Sequence, residues 1–209
     1  MARSDVICYN AGMSEEIQRP LRKDLHLAYN KTLPDVIAPG LRVLFCGINP
    51  GLYSAFVGHH FAKPGNRFWP TLHAAGFTPH QFKPEEQHDL LSLGYGLTNI
   101  AARPTAMAKE LTGDELREGR HLLEEKLRAY SPRILAVIGV TAYRQAFAEP
   151  TATFGLQPEL IGSTEVWVLP NTSGLNAGYY ATLKDYFHEV FQRMMALEQL
   201  VEEPRRPDR

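Results

Sequence analysis

The sequence predicts a single α/β domain, a three-layer α/β/α sandwich with a central, mostly parallel sheet. Two apolar runs, at residues 43–46 and 134–138, are short, contain β-branched residues and are bounded by turn residues. Such runs are typical of strands that are buried on both faces of a parallel sheet. Segments with helical spacing separate the predicted strands, and this alternation favours a sheet covered by helices on both sides.

The remaining elements follow the same two periodicities. Further strands are predicted at residues 96–100 and 166–169. Helices are predicted at residues 66–75, 84–94, 113–130, 139–147 and 181–200. Thr112 and Glu115 fit a capping box before the longest internal helix, and Gly76 is a natural stop for the first one.

Length and composition set the domain organisation. With 209 residues and 44% hydrophobic content, the chain can bury a core as one domain. We assign residues 33–201 to this domain, residues 202–209 to a flexible tail and residues 1–32 to an N-terminal extension packed on the surface. The basic residues that would make the extension a DNA-contacting arm, the alternative, are Arg19, Arg22 and Lys23.

Charge and hydropathy narrow the class of protein. No window has the 18 or so apolar residues that a membrane span needs, and the N-terminus lacks a signal-peptide apolar region. We therefore expect a cytoplasmic protein. The net charge of −1 neither indicates nor excludes nucleic-acid binding. Cys8 and Cys46 do not form a disulfide framework.

Two strand-to-loop transitions carry the candidate chemistry. Asn49 lies between Gly47 and Gly51 directly after the first predicted strand, and Asn171 and Gly174 follow the last one. In open α/β sheets, ligands bind outside the carboxyl ends of the strands. Glycines there let backbone N–H groups approach a ligand closely. We expect the two loops to form two walls of one site.

Several common sites are excluded or disfavoured. Neither the G-x-G-x-x-G dinucleotide fingerprint nor a phosphate-binding P-loop is present. His59 and His60 are adjacent, so they point in different directions, and we interpret them as a solvated or loop pair rather than metal ligands. Phe61 lies in a polar loop with no obvious core to join, which favours a ligand platform.

These loops, taken in order, closely resemble the mismatch-specific uracil-DNA glycosylases, in the Mug and thymine-DNA glycosylase branch of the uracil-DNA glycosylase superfamily. The motifs that carry the resemblance are residues 47–51 (Gly-Ile-Asn-Pro-Gly), 61–62 (Phe-Ala), Pro64, 66–69 (Asn-Arg-Phe-Trp) and 167–175 (Trp-Val-Leu-Pro-Asn-Thr-Ser-Gly-Leu). Weaker similarity at residues 103–105 and 161–164 extends the match to roughly residues 33–195. The first 32 residues are not covered.

The resemblance implies a monofunctional DNA-repair glycosylase. It would hydrolyse the N-glycosidic bond of uracil and related bases in mispaired double-stranded DNA, especially at U·G, and leave an abasic site. It would need no cofactor and no metal, would not bind membranes and would act as a monomer. If its source is bacterial, it would act on nucleoid-associated DNA. Asn49 would position the attacking water. Because a neutral amide cannot take a proton as a carboxylate does, the rate would come mainly from stabilising the departing uracil anion.

The resemblance also assigns roles around Asn49. Leu175 would be the wedge that fills the gap left by the flipped base. The residues that would bind uracil are Ile48, Gly51, Ser54 and Phe61. The residues that would support the wedge and read the opposite base are Asn171, Ser173, Gly174 and Asn176.

The chain departs from the family pattern at two places. Thr172 stands where Pro is common, and Asn176–Ala177 stand where Ser-Arg is common, which weakens an expected phosphate clamp. If a carboxylate assists Asn49, Asp89 is the candidate, since it is the only Asp between the Asn49 loop and Asp114. A solvated charge on a helix face is the alternative for Asp89.

Two other functions remain open. A non-catalytic DNA-lesion binder would use the same pocket and wedge. A nucleoside hydrolase would need no wedge, so Leu175 argues against it.

Overall fold

The computed structural model describes residues 20–174 and 182–202. Its centre is one five-stranded sheet, whose strands are β1 (Val43–Gly47), β2 (Tyr95–Asn99), β3 (Ile134–Ile138), β4 (Gly155–Ile161) and β5 (Thr164–Leu169). The strand order is β2-β1-β3-β5-β4. The first three pairings are parallel, and only β4 runs antiparallel to its neighbour β5. The predicted mostly parallel sheet is confirmed.

Helices cover both faces of this sheet. They are α1 (Leu52–Val57), α2 (Phe68–Ala74), α3 (Gly113–Tyr130), α4 (Val140–Phe147) and α5 (Leu183–Glu202). Three 3₁₀ segments accompany them, Arg22–Ala28, Pro84–Leu93 and Ala108–Glu110. One hydrophobic core lies between the sheet and α2 and α5, and a second lies between the sheet and α3 and α4. None of the helices within residues 20–174 and 182–202 is long and apolar enough to span a bilayer.

The central position of β1 in the sheet explains why its consecutive residues are all apolar rather than alternately apolar and polar. The Phe45 side chain enters the first core, where it packs edge-on against Phe68 at 5.5 Å and stacks on Phe187 at 6.0 Å between ring centroids. Leu44 and Cys46, one residue to either side, enter the second core. Both faces of the strand are therefore buried, as expected for a central parallel strand.

The element predictions were wrong in three places. Residues 84–93 form a 3₁₀ segment rather than an α-helix. Helix α1 and strand β4 were not predicted. Strand β4 is an edge strand with Leu156 and Leu160 half exposed, so it lacks the alternation of buried and polar residues that identifies a strand.

The described part of the predicted N-terminal extension lies against the domain. The 3₁₀ segment Arg22–Ala28 precedes the domain and buries Ala28 against Leu52 and Ala55 of α1. Lys31 Nζ donates a hydrogen bond to the Phe56 carbonyl at 3.1 Å. These contacts place residues 22–31 beside the helix that follows the Asn49 loop.

Candidate active site

A cavity of about 520 Å³ opens at the carboxyl edge of the parallel strands. It is lined by Gly47 at the end of β1, Asn99 at the end of β2 and Ile138 at the end of β3. Asn171, which follows β5, lines it from the other side. The two strand-to-loop transitions that the sequence singled out thus form walls of one cavity.

Asn49 is held by both hydrogens of its side-chain amide. Nδ2 donates to the Arg103 carbonyl at 2.8 Å and to Thr105 Oγ1 at 2.7 Å. Because a carbonyl can only accept, the amide orientation is fixed, with Oδ1 facing away from these partners. Among the residues at 20–174 and 182–202, none donates a hydrogen bond to Oδ1. That oxygen can therefore accept one from a ligand or a water.

The loop that holds Asn49 is itself braced. Thr105 N donates to the Pro50 carbonyl and Leu52 N donates to the Thr105 carbonyl, both at 3.1 Å. The Arg103 guanidinium forms an ion pair with Glu115 of α3, with Nε–Oε1 and Nη2–Oε2 distances of 2.5 and 3.0 Å. This ion pair lowers the pKa of the Glu115 carboxyl to about 2. Asn49 is thus tied through one short loop to the start of a long helix.

Glu115 has a second role at that helix start. Its backbone N donates to Thr112 Oγ1 at 3.2 Å, and its carboxylate accepts from Thr112 N at 2.8 Å. This is the predicted capping box. One carboxylate therefore both begins α3 and anchors the Arg103 loop.

Phe61 forms the aromatic wall of the cavity. Its ring stacks on Phe68 with 4.0 Å between centroids and 17° between planes, so it does join the core, contrary to the sequence interpretation. Its backbone has φ of +54°, a left-handed conformation that costs energy for any residue with a side chain. Its place in the cavity lining shows that this strained backbone still presents the ring to the site.

Gly47 makes room for a residue that the sequence reading missed. A Cβ built on Gly47 would lie 2.5 Å from Asn99 Oδ1 and 3.4 Å from Phe61 Cζ. Asn99 can therefore lie over the backbone of β1 only because Gly47 has no side chain. The signal that could have identified Asn99 is its position at the carboxyl end of the predicted strand 96–100, the same rule that identified Asn49.

His60 lies in a loop, one of the two environments that we expected, but it is not solvated. Its side chain lines the cavity but the residue is only 1% exposed, and Nε2 lies 3.0 Å from the Pro34 carbonyl. Burial is the main cause that lowers the pKa of His60, so the ring is neutral at neutral pH. The fact that His60 follows His59 in sequence gave no information on whether the His60 side chain is buried. No group of three or more His, Cys, Asp or Glu residues that could hold a metal ion occurs in the described part of the chain.

The other residues assigned to uracil binding also line the cavity. Ser54 is buried, and its hydroxyl accepts a hydrogen bond from Ala62 N at 3.1 Å, which ties α1 to the Phe61 loop. Ile48 packs against Gly139 and accepts a backbone hydrogen bond from Ala101. A Cβ on Gly51 would meet no atom within 4 Å, so this backbone faces open space.

The opposite wall is the loop after β5. Asn171 Oδ1 accepts from Ser173 N at 2.8 Å, and both residues line the cavity. A Cβ on Gly174 would lie 2.8 Å from the Gly65 carbonyl, so Gly174 lets this loop pack on the loop after Phe61. Thr172, the departure from the family pattern, is buried, and its carbonyl accepts from Arg67 N.

Four predicted site residues are absent from the cavity lining, and one of them is Gly174, which follows the lining residue Ser173. Leu175 and Asn176 lie outside the described residues. Asp89 is exposed on the 3₁₀ segment Pro84–Leu93 and is absent from the cavity lining, because Gln87 and Leu90 are the residues of this segment that turn inward. The hypothesis that Asp89 assists Asn49 is therefore wrong.

The described lining of the cavity contains no Asp or Glu, but it includes Lys63 and Lys109. This described part of the lining therefore offers no carboxylate to act as a general base, and its cationic side chains favour negative charge. Chemistry that needs a strong base is disfavoured, whereas a reaction that releases an anion fits.

Comparisons with known proteins agree with this fold. Residues 34–194 match the sequence profile described as Uracil DNA glycosylase superfamily. The fold is similar to the solution NMR structure of a "putative Uracil DNA glycosylase" from Methanosarcina acetivorans, with a TM-score of 0.56 and 19% sequence identity. That match covers 79% of this chain and 98% of the other. The profile spans well over half of the sequence, and the chain belongs to the uracil DNA glycosylase superfamily.

Proposed function

We propose that this protein is a monofunctional, mismatch-specific uracil-DNA glycosylase of the thymine-DNA glycosylase branch, which acts as a monomer on double-stranded DNA. The observation that carries the proposal is the amide of Asn49, a residue that lines a cavity with a stacked aromatic wall. Its Nδ2 is fully used by Arg103 and Thr105, which leaves Oδ1 as the atom that can accept from a water. An oriented acceptor beside a flat apolar surface suits the positioning of water next to a planar base.

The reaction uses Asn49 to orient a water and not to deprotonate it. The bond between C1′ of the sugar and N1 of uracil breaks, and its electron pair leaves with the base. The water oxygen, hydrogen-bonded to Asn49 Oδ1, forms the new bond to C1′ and loses its proton to solvent. Because the described lining offers no carboxylate, the water reacts late, once the sugar carries positive charge.

The base is held by stacking and by its polar edge. Phe61 stacks on the ring, and Asn99 faces the edge that carries N3 and O4. Lys63 and Lys109 favour the anion that uracil becomes on leaving. The extrusion of the nucleotide costs a few kcal/mol and costs least for a mispaired base, which accounts for the preference for U·G.

Thymine differs from uracil by one methyl group, and Ser54 is the residue that crowds it. Ser54 cannot move away easily, because its hydroxyl accepts from Ala62 N and its carbonyl accepts from Gly58 N. Exclusion of a single methyl group by packing discriminates by roughly 10–200-fold. We therefore expect T·G to be a poor substrate but not an inert one.

The decisive experiment is single-turnover excision from duplexes that contain U·G, U·A or T·G and from single-stranded DNA that contains uracil. We expect U·G to react fastest, and Asn49→Ala to lower uracil release about 100-fold or more while binding to abasic DNA is retained. A variant with the wild-type rate would show that Asn49 is structural.

The cavity without a described carboxylate also fits a second candidate, a lesion-binding protein with negligible turnover. The same duplexes separate the two functions. Tight binding to U·G by the wild type, with no uracil released, would favour the lesion binder and reject the glycosylase.

A further inference from the structure

We infer that Gln87 positions the Phe61 ring for stacking on the base, because its side chain holds the backbone that leads into Phe61. The inference rests on the proposed function, since it concerns the aromatic wall of the same cavity. Gln87 does not line the cavity. It acts through Phe61 and is a positioning residue.

The carboxamide of Gln87 serves three consecutive residues. Oε1 accepts from His60 N at 2.9 Å, and Nε2 donates to the Gly58 carbonyl at 3.1 Å. Nε2 also lies 3.2 Å from His59 Nδ1, which can accept its second hydrogen. Because a carbonyl can only accept and a backbone N–H can only donate, these partners fix the orientation of the carboxamide.

The backbone is held on both sides of Phe61. Just before it, the His60 carbonyl accepts from Trp69 Nε1 at 3.1 Å. Just after it, Ala62 N donates to Ser54 Oγ at 3.1 Å. With the His60 N–H held as well, the peptide units that flank Phe61 have little freedom to turn.

Phe61 needs this support because its backbone is strained. Its φ of +54° is a left-handed conformation that a residue with a side chain keeps only where the surrounding structure over-determines it. A return to negative φ would redirect Cβ and take the ring off its stack on Phe68, where the centroids now lie 4.0 Å apart. The ring would then no longer form the wall of the cavity.

Burial makes the Gln87 bonds hard to replace. Gln87 is only 4% exposed, and the bond to His60 N is buried. Without the carboxamide, a buried N–H would lack an acceptor, which is costly, so the loop would shift until this group reached another partner. Phe61 is the next residue and would move with it.

The test compares two duplexes that differ in whether a base is present. One carries 2′-fluoro-deoxyuridine, whose glycosidic bond is slow to break, opposite guanine, and the other carries an abasic-site analogue opposite guanine. Gln87→Met has a similar length and no hydrogen-bonding amide. We expect it to weaken binding of the base-containing duplex about 10-fold, the usual range for loss of an aromatic stack, and binding of the abasic duplex by less than about twofold.

A double-mutant cycle with Phe61→Ala identifies the path of the effect. Once the ring is gone, Gln87→Met should weaken binding of the base-containing duplex by less than about twofold more. Effects that multiply in full would overturn the inference. An equal loss on both duplexes would overturn it too, because general damage to the fold does not depend on the base.

Gln157→Met is the matched control. Gln157 is also buried, and its Nε2 donates to the Thr153 and Gly155 carbonyls, both at 2.9 Å, but it lies on β4 and does not line the cavity. We expect unchanged binding of both duplexes. A loss on the base-containing duplex as large as that of Gln87→Met would contradict a path through Phe61.

Gln87→Asn is the milder variant and decides the question where Gln87→Met does not fold. Its carboxamide is one methylene too short to reach both Gly58 and His60, so we expect a several-fold loss confined to the base-containing duplex. Wild-type binding of that duplex by either folded variant would overturn the inference. A failure of the proposed function would look different, because the wild type would then release no uracil from U·G duplex, whatever it binds.

Discussion

At Gly47, the absence of one side chain determines where a neighbouring polar group can lie. The residue ends β1, and its backbone runs beneath Asn99 and Phe61. The Gly-x-Asn-x-Gly spacing drew attention to Gly47 as a place where a ligand approaches the backbone. In the structure, the carboxamide oxygen of Asn99 and the ring of Phe61 lie close to this backbone.

Gly47→Ala should therefore impair base binding and catalysis rather than the fold. The added Cβ would lie 2.5 Å from Asn99 Oδ1, so the carboxamide must move by about an ångström. A displacement of that size in a positioned group costs up to about 100-fold in rate. We expect single-turnover uracil excision at U·G to fall 10- to 100-fold, with a small change in melting temperature.

Gly113→Ala is the matched control for this substitution. Its Cβ would approach only the flexible tip of Arg117, at 3.1 Å, and it lies at the start of α3 away from the cavity lining. Equal losses of activity in the two variants would show that the effect of Gly47→Ala is not due to displacement of Asn99.

Residue-level prediction succeeded where local sequence determines position. Asn49 could be located because it directly follows a buried strand. Since ligands bind outside the carboxyl ends of parallel strands, this position predicts a ligand site. His60 and Asp89 could not be placed in this way. Burial of His60 depends on the Pro34 carbonyl, 26 residues away, and exposure of Asp89 depends on which side of a 3₁₀ segment turns inward.

At the scale of elements, buried strands were easier to predict than exposed ones. Strand β3 was predicted with its observed bounds because all five of its residues are buried and apolar. Strand β4 was missed because its position in the sheet comes from pairing with β5, and because Leu160 and its neighbour Glu159 are both exposed. Edge strands are defined by a partner that the local sequence does not encode.

Helix α3 contributes to the site through its first turn, which yields a prediction for Glu115. Glu115→Gln keeps a side chain that can still cap the helix, but it removes the charge that holds Arg103 and, through the Arg103 carbonyl, Asn49. We expect uracil excision under single-turnover conditions to slow by roughly 3- to 10-fold, with substrate affinity nearly unchanged.

Glu124→Gln is the control on the same helix, since Glu124 pairs with Arg120 and Arg128 and touches no part of the Arg103 loop. A slower rate in Glu124→Gln than in Glu115→Gln would contradict the role of the Arg103 loop.

The contribution of the Arg103–Glu115 ion pair to the stability of the fold depends on pH. The pKa of Glu115 in the folded protein is about 2, below its ordinary 4.5. The ion pair therefore stabilises the fold fully above pH 4.5, and this contribution is lost as the pH falls from 4.5 to about 2.

For the whole molecule, parallel topology is what assembles the site. The cavity takes residues from the ends of β1, β2 and β3 and from the loop after β5, although these positions are up to about a hundred and twenty residues apart in sequence. Such a site can be predicted in outline, because the carboxyl ends of parallel strands share one edge. Its hydrogen-bond partners cannot, since Thr105 and Pro34 reach it from loops without strand or helix periodicity.

The whole-molecule prediction concerns Leu175, which follows the last described residue of the second wall. Gly174 packs against Gly65, whose neighbour Asn66 lines the cavity, and Leu175 is the next residue in sequence. A leucine at this point suits an apolar wedge that fills the space of an extruded nucleotide. Leu175→Ala should then slow uracil release from a duplex and weaken binding to the abasic product.

The comparison that tests the wedge is between duplex and single-stranded uracil. A single strand has no pairing partner to leave and little stacking to lose, so the wedge has little to do there. We expect Leu175→Ala to lower the single-turnover rate about 10-fold or more on U·G duplex and less than about threefold on single-stranded DNA. An identical loss on both substrates would mean that Leu175 supports the cavity wall itself, because damage to the wall would impair excision whichever form of DNA delivers the base.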